Sequence, residues 1–202
     1  MNVLSLIKQY CSPLNISLGE ELGYGADGQC FNIVDNPNQV IKLSVLYDMS
    51  DDFIIKSQII NQTLNYIKNN NTYPYVRVYE YIHLGSYSRC IPSWKDGKQN
   101  FILYYYIMEK LNKISDDEKK VFHTLLSHED RGIIKDYSLV KITEMLKGMQ
   151  RGLDFDLSRV KLFCQAIKLS PLIHNDLHIR NIMKTQLGEF KLIDLDRLKL
   201  EK

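Results

Sequence analysis

The apolar and polar positions of the chain change period partway along it. Residues 18–46 carry two short runs, GQCFNIV and QVIKLSV, separated by the turn-forming cluster Asp35-Asn36-Pro37-Asn38. They predict a β-hairpin that opens on a glycine-rich turn. Residues 51–68 set Phe53, Ile54, Ile59, Ile60, Leu64 and Ile67 at mixed three- and four-residue spacings behind an acidic start, which predicts a helix. YVRVYEYIHLG and NFILYYYIMEKL are short, β-branched and aromatic, so they predict further strands of the same sheet, with 85–99 as a polar loop between them. In the second of these, Tyr104-Tyr105-Tyr106 is expected to alternate between core and solvent.

Beyond residue 112 the period becomes helical. Ser115 and Glu118 form a capping box ahead of DDEKKVFHTLLSH. YSLVKITEMLKGMQ aligns Leu139, Ile142, Met145 and Leu146, and DLSRVKLFCQAIKLS aligns Leu157, Val160, Leu162, Phe163 and Ile167, with Pro171 stopping the last helix. The closing stretch predicts two short strands around a turn at Gly188. The fold expected is α+β, a strand-rich half with one helix followed by a helix-rich half, with the boundary near Leu111.

Composition narrows the class. With 202 residues the chain can bury about 70% of its unfolded surface and needs no staple to fold. Its 26 Lys+Arg against 24 Asp+Glu argue against a bulk nucleic-acid binder, which would carry a strongly basic face. Cys11, Cys30, Cys90 and Cys164 lie far apart without CxxC spacing, so neither a zinc site nor a disulfide framework is indicated and reduced, cytoplasm-like surroundings fit. No apolar run is long enough for a membrane span.

Three motifs bring chemistry. Gly23-Tyr24-Gly25-Ala26-Asp27-Gly28 is a G-x-G-x-x-G that leads into a strand rather than a helix, which contradicts a dinucleotide-binding turn and suits a loop whose backbone amides cover phosphates. Lys42 interrupts the apolar strand that follows and needs either solvent or an anion. The third motif is His174-Asn175-Asp176-Leu177-His178-Ile179-Arg180-Asn181, followed by Asp194 in Leu192-Ile193-Asp194-Leu195-Asp196. Phosphoryl transfer needs a carboxylate to orient the attacking hydroxyl, for which Asp176 stands, and oxygen ligands for Mg2+, for which Asn181 and Asp194 stand.

In this order the motifs resemble the protein-kinase-like superfamily from about residue 18 to 197. His174, Asp176, Leu177 and Asn181 match its catalytic segment, and Asp194 matches the aspartate of its metal-binding D-F-G. The resemblance implies a protein-kinase-like two-lobed fold over residues 1–202. Its N-lobe, 15–111, would be an antiparallel sheet with one helix, and its C-lobe, 112–202, a reduced helical lobe bearing the catalytic and metal-binding loops. It implies ATP and Mg2+ as cofactors. Gly23, Gly25 and Gly28 would cover the phosphates and Lys42 would hold the α- and β-phosphates. Met108 would sit at the gatekeeper position, and the backbones of Glu109 and Leu111 would meet the adenine.

The chain also departs from that pattern. Asn175 replaces the arginine that pairs with a phosphorylated activation loop, Leu195-Asp196 replaces Phe-Gly, and 8 residues follow Asp194. The expectation is therefore a minimal kinase without activation-loop control, which leaves room for an activating protein partner. No glutamate falls between Asp52 and Tyr79 to pair with Lys42, and Gln58 and Gln62 are the nearest polar candidates. The truncated form resembles bacterial effector and virus- or phage-encoded kinases. That favours Ser/Thr phosphorylation of a protein, a host protein if the chain is secreted into a host cytoplasm. The alternatives are a pseudokinase-type binding module and a small-molecule phosphotransferase, the latter because Asp-Leu-His-x-x-Asn resembles such enzymes.

Overall fold

The structure, a computed structural model, describes residues 2–25, 27–48, 53–90, 98–126, 138–149, 155–174 and 177–200. The chain is α+β and forms two units, Met1–Asn70 with Arg77–Lys110, and Asn71–Val76 with Leu111–Lys202.

The first unit is built on a five-stranded antiparallel sheet in the order β1-β2-β3-β5-β4, comprising β1 (Leu18–Tyr24), β2 (Gly28–Ile33), β3 (Asn36–Asp48), β4 (Val78–Cys90) and β5 (Lys98–Glu109). Among the described residues of 15–111 it contains the one helix expected, α2 (Phe53–Asn70), and a further helix not expected from the sequence, α1 (Val3–Tyr10), precedes it. Eight residues are too few to hold a helix unaided, and α1 is held at its start by the Asn2 Oδ1 cap on the Ser5 amide. Val3, Leu6 and Ile7 then join Phe31, Ile41, Leu43, Phe101, Leu103 and Tyr105 in one buried cluster. A two-turn pattern of this kind is weak in the sequence because docking, not propensity, sustains it.

Three expectations are corrected here. Of the polar loop expected at 85–99, residues 85–90 and 98–99 are strand and 91–97 lie outside the described residues: β4 runs to Cys90 and β5 starts at Lys98, with Tyr87 opposite Phe101 and Arg89 Nε donating to Gln99 Oε1 at 2.7 Å. Polar side chains on these residues pair across the strands, so polarity does not mark a loop. Tyr104, Tyr105 and Tyr106 are all buried, because β5 lies between β3 and β4 and both of its faces are covered. On α2 the buried stripe is Ile60, Thr63, Leu64 and Ile67, while Ile54 and Ile59 are exposed.

The second unit holds α3 (Asp116–Leu126), α4 (Leu139–Met149) and α5 (Leu157–Leu169). Two small sheets accompany them, β6-β8-β9 and β10-β7, from β6 (Asn112–Lys113), β7 (Leu172–His174), β8 (Ile182–Lys184), β9 (Phe190–Leu192) and β10 (Leu198–Leu200). The capping box forms as expected: Glu118 Oε2 accepts the Ser115 amide at 2.5 Å and Ser115 Oγ accepts the Glu118 amide at 3.3 Å. Phe122 of α3, Phe163 of α5 and Phe190 of β9 meet edge to face with centroids 4.9 to 6.1 Å apart, which fastens both helices to the β8–β9 hairpin. Leu162 is exposed, a correction to the expected α5 face, since the helix buries 157, 160, 163, 164 and 167 instead. The short strands around Gly188 form as expected, and Gly188 takes φ 80, where a side chain would be strained.

The segment Asn71–Val76 belongs to this second unit through Tyr75. The Tyr75 hydroxyl lies 2.9 Å from Ser170 Oγ and donates to the Leu172 carbonyl at 3.1 Å. Its backbone neighbours clasp β9, with the Leu192 amide on the Pro74 carbonyl and the Val76 amide on the Leu192 carbonyl. Among the described residues no helix is long and apolar enough to cross a membrane.

Candidate functional site

The open end of the β8–β9 hairpin brings Asn181 and Asp194 to adjoining loops. Ile182 pairs with Leu192 at the last rung, and one residue further out the Ile193 amide donates to the Asn181 carbonyl at 2.9 Å. Asn181, 6% exposed, ends the 3-10 turn Ile179–Asn181. Asp194 takes a left-handed backbone, φ 61 and ψ 56, and opens a second 3-10 turn, Leu195–Arg197. An aspartate tolerates that conformation better than most residues, and here it turns the chain sharply just beyond the hairpin.

The third member of the motif braces this end. His174 is buried, and its Nε2 lies 3.1 Å from the Ile193 carbonyl. A carbonyl only accepts, so the ring carries its proton on Nε2. The same residue pairs in register with Leu198 where β7 meets β10, so the chain is held on both sides of Asp194. Leu177 is also buried. Asn175 and Asp176 lie outside the described residues.

Two contacts that no sequence motif announced hold the rest of the hairpin. Lys184 of β8 reaches both carboxylate oxygens of Glu118, at 2.8 and 3.0 Å, so the residue that caps α3 also anchors β8. Burial pushes the Glu118 carboxyl up, but Lys184 and the two Ser115 hydrogen bonds outweigh it and hold the group below its ordinary value. At the turn, Arg159 of α5 donates to the Leu187 carbonyl, and its guanidinium occupies the place a Gly188 side chain would need.

In the first unit the structure brings Gly28 and Lys42 together. A Cβ on Gly28 would stand 2.7 Å from the Leu43 carbonyl and 3.0 Å from Lys42 Cε, so only glycine lets β2 lie this close to the lysine stem. Lys42 pairs in register with Cys30 on one side and Tyr106 on the other, with its Nζ 5.8 Å from the Tyr106 ring centroid. Burial pushes the Cys30 thiol up to about 11, against the lowering pull of Lys42, so at neutral pH the neighbour of Lys42 is a neutral thiol. Gly23 and Gly25 stand on the β1–β2 hairpin end, where Gly23 faces Cys30 and the Gly25 amide donates to the Gly28 carbonyl at 2.8 Å. A Cβ at either would meet nothing within 4 Å.

Further along β5, Met108 is buried opposite Val40 and Val78. The Glu109 amide donates to the Arg77 carbonyl at 3.0 Å and its Oε1 accepts the Arg77 amide at 2.9 Å. Leu111 follows as the first residue of the second unit's main stretch and is partly exposed. Gln58 and Gln62 are exposed on α2. Compared with known protein families and with curated proteins, the chain matches none.

Proposed function

We propose that the chain is a minimal protein kinase of the protein-kinase-like two-lobed fold, transferring the γ-phosphate of ATP to Ser or Thr hydroxyls of a protein in the presence of Mg2+. The observation that carries this reading is the joining of the Asn181 and Asp194 loops by the Asn181–Ile193 hydrogen bond, with His174 bracing the same residue. An amide oxygen and a carboxylate on adjoining loops are hard donors that suit Mg2+, which takes one or two protein oxygens and fills its remaining positions with water and substrate phosphates. When bound, that cation would neutralise charge on the phosphoryl oxygens and orient them.

The remaining roles follow from the first unit and from Asp176. Amides of the turn carrying Gly23, Gly25 and Gly28 cover the phosphates, and the open space around Gly23 and Gly25 favours a close-approaching ligand there. Lys42, on β3, holds the α- and β-phosphates. Because the Glu109 amide is already donated to Arg77, its carbonyl would meet the adenine amino group, with the Leu111 amide donating to the ring and Met108 lining the pocket behind. Asp176 takes the proton of the acceptor hydroxyl as its oxygen bonds to the γ-phosphorus and ADP leaves.

One observation favours a second reading, a nucleotide- or protein-binding module without turnover. Helix α2 carries no carboxylate, and its glutamines are exposed. Both readings are tested by incubating the intact chain, Asp176→Ala and Asp194→Ala with γ-labelled ATP, Mg2+, lysate proteins and a panel of small hydroxyl compounds. The kinase reading expects label on protein Ser or Thr that falls by about a hundredfold or more in either variant. Label on small molecules would make the chain a small-molecule phosphotransferase. Nucleotide binding without label would make it a binding module. No rise in unfolding temperature with Mg2+ and ATP would remove the nucleotide from both readings.

A further inference from the structure

We infer that His178 is a positioning residue: its ring caps the 3-10 turn Ile179–Asn181 and so sets where Asn181 stands against the Asp194 loop. His178 has an extended backbone, φ −144 and ψ 167, and its Nδ1 accepts the Arg180 amide at 3.1 Å. That is the geometry of a helix N-cap, made by an imidazole nitrogen instead of the usual hydroxyl or carboxylate oxygen. The turn it caps is only three residues long. Its backbone bonds include the Asn181 amide on the His178 carbonyl at 2.9 Å and the Ile182 amide on the Ile179 carbonyl. A turn of that length has little cooperative stability of its own, so a side-chain cap adds to what holds it.

The consequence runs through Asn181. Its side chain is buried and its carbonyl accepts the Ile193 amide, the bond that joins the two loops. A turn that unwinds for lack of its cap releases that bond as well. Accepting a backbone amide at Nδ1 uses only the acceptor lone pair of a neutral ring, so an asparagine, whose Oδ1 is a strong capping acceptor, can replace the imidazole, whereas alanine cannot. The effect on catalysis rests on the kinase reading, but the cap itself does not.

The test compares the full chain with His178→Ala and His178→Asn by three measurements: amide hydrogen exchange at Arg180 and Ile193, binding of Mn2+ alone followed by its spin resonance, and phosphoryl transfer. In His178→Ala, exchange at both amides is expected to rise about five- to tenfold, with weaker Mn2+ binding and a lower transfer rate. In His178→Asn all three are expected to return to within about threefold of the intact chain. Unchanged exchange in His178→Ala overturns the inference. So does a His178→Asn chain as defective as His178→Ala, because that would assign the ring a chemistry only imidazole performs. If His178→Ala does not fold, the asparagine variant decides alone. If no form transfers phosphate while the exchange pattern holds, the kinase reading fails and the positioning role stands.

Discussion

The open end of the β8–β9 hairpin and the glycine turn between β1 and β2 are both loop ends given a role in the proposed function, yet the molecule holds them differently. Around the hairpin, His174 braces Ile193, Glu118 pairs with Lys184, Arg159 reaches Leu187 and three phenylalanine rings pack behind β9. At the glycine turn, backbone bonds from Gly25 to Gly28 and from Val45 to Asp27 close the loop, Tyr24 is 86% exposed, and side chains at positions 23 and 25 would touch nothing. Groups that must hold fixed angles, such as metal ligands, gain from a packed frame. A loop that offers backbone amides to a ligand gains from open space and small residues.

That contrast predicts where substitutions cost stability and where they cost only function. The largest effect is expected at Glu118→Gln, which removes the buried carboxylate from a half-buried Lys184: a loss of about 2–4 kcal/mol in chemical denaturation, with activity falling alongside. The loss should depend on pH. Because the folded Glu118 carboxyl is held below its ordinary value, its contribution is complete above the unfolded glutamate pKa of about 4.3 and fades as pH falls through the lower folded one. Unfolding curves of the two proteins should therefore converge in acid. A gap that persists unchanged there would show that the pair is not what braces the hairpin.

Next comes Gly28→Ala, where the new methyl would overlap the Leu43 carbonyl; about 1–3 kcal/mol is expected from thermal unfolding. Tyr75→Phe removes only the hydroxyl that joins Ser170 and Leu172, for about 1 kcal/mol. The buried phenol is pushed up to about 12, so this loss should not vary between pH 5 and 9. The smallest stability change is expected at Gly25→Ala, within about 0.5 kcal/mol either way, while affinity for ATP with Mg2+ drops several-fold by titration calorimetry. If Gly25→Ala destabilised the fold as much as Gly28→Ala, the open-turn account of that loop would be wrong.

Much of the element map could be read along the chain because local periodicity survives in the fold. The Ser115–Glu118 box, the helix over 157–169 and the strands around Gly188 rest on spacing and turn chemistry alone. Errors fell where burial is decided by a neighbour. Tyr104 and Tyr105 are both buried because both faces of β5 are covered, and polar Arg89 and Gln99 are strand residues that face each other. For the candidate site, the spacing of His174, Asn181 and Asp194 marked the motif, but nothing in it revealed that a backbone bond and a buried ring would unite the loops.

What the sequence by itself determined is thus the order of strands and helices and the types of donor available: glycines, one strand lysine, an amide and carboxylates. Periodicity and side-chain chemistry are local properties, so they are written into neighbouring residues. Only the tertiary structure decided that Glu118 both caps a helix and holds Lys184, that α1 docks on the sheet, and that His178 supports the turn before Asn181. Such contacts join residues whose separation along the chain carries no regular signal, and packing selects them because a buried polar group must find a partner wherever the fold provides one.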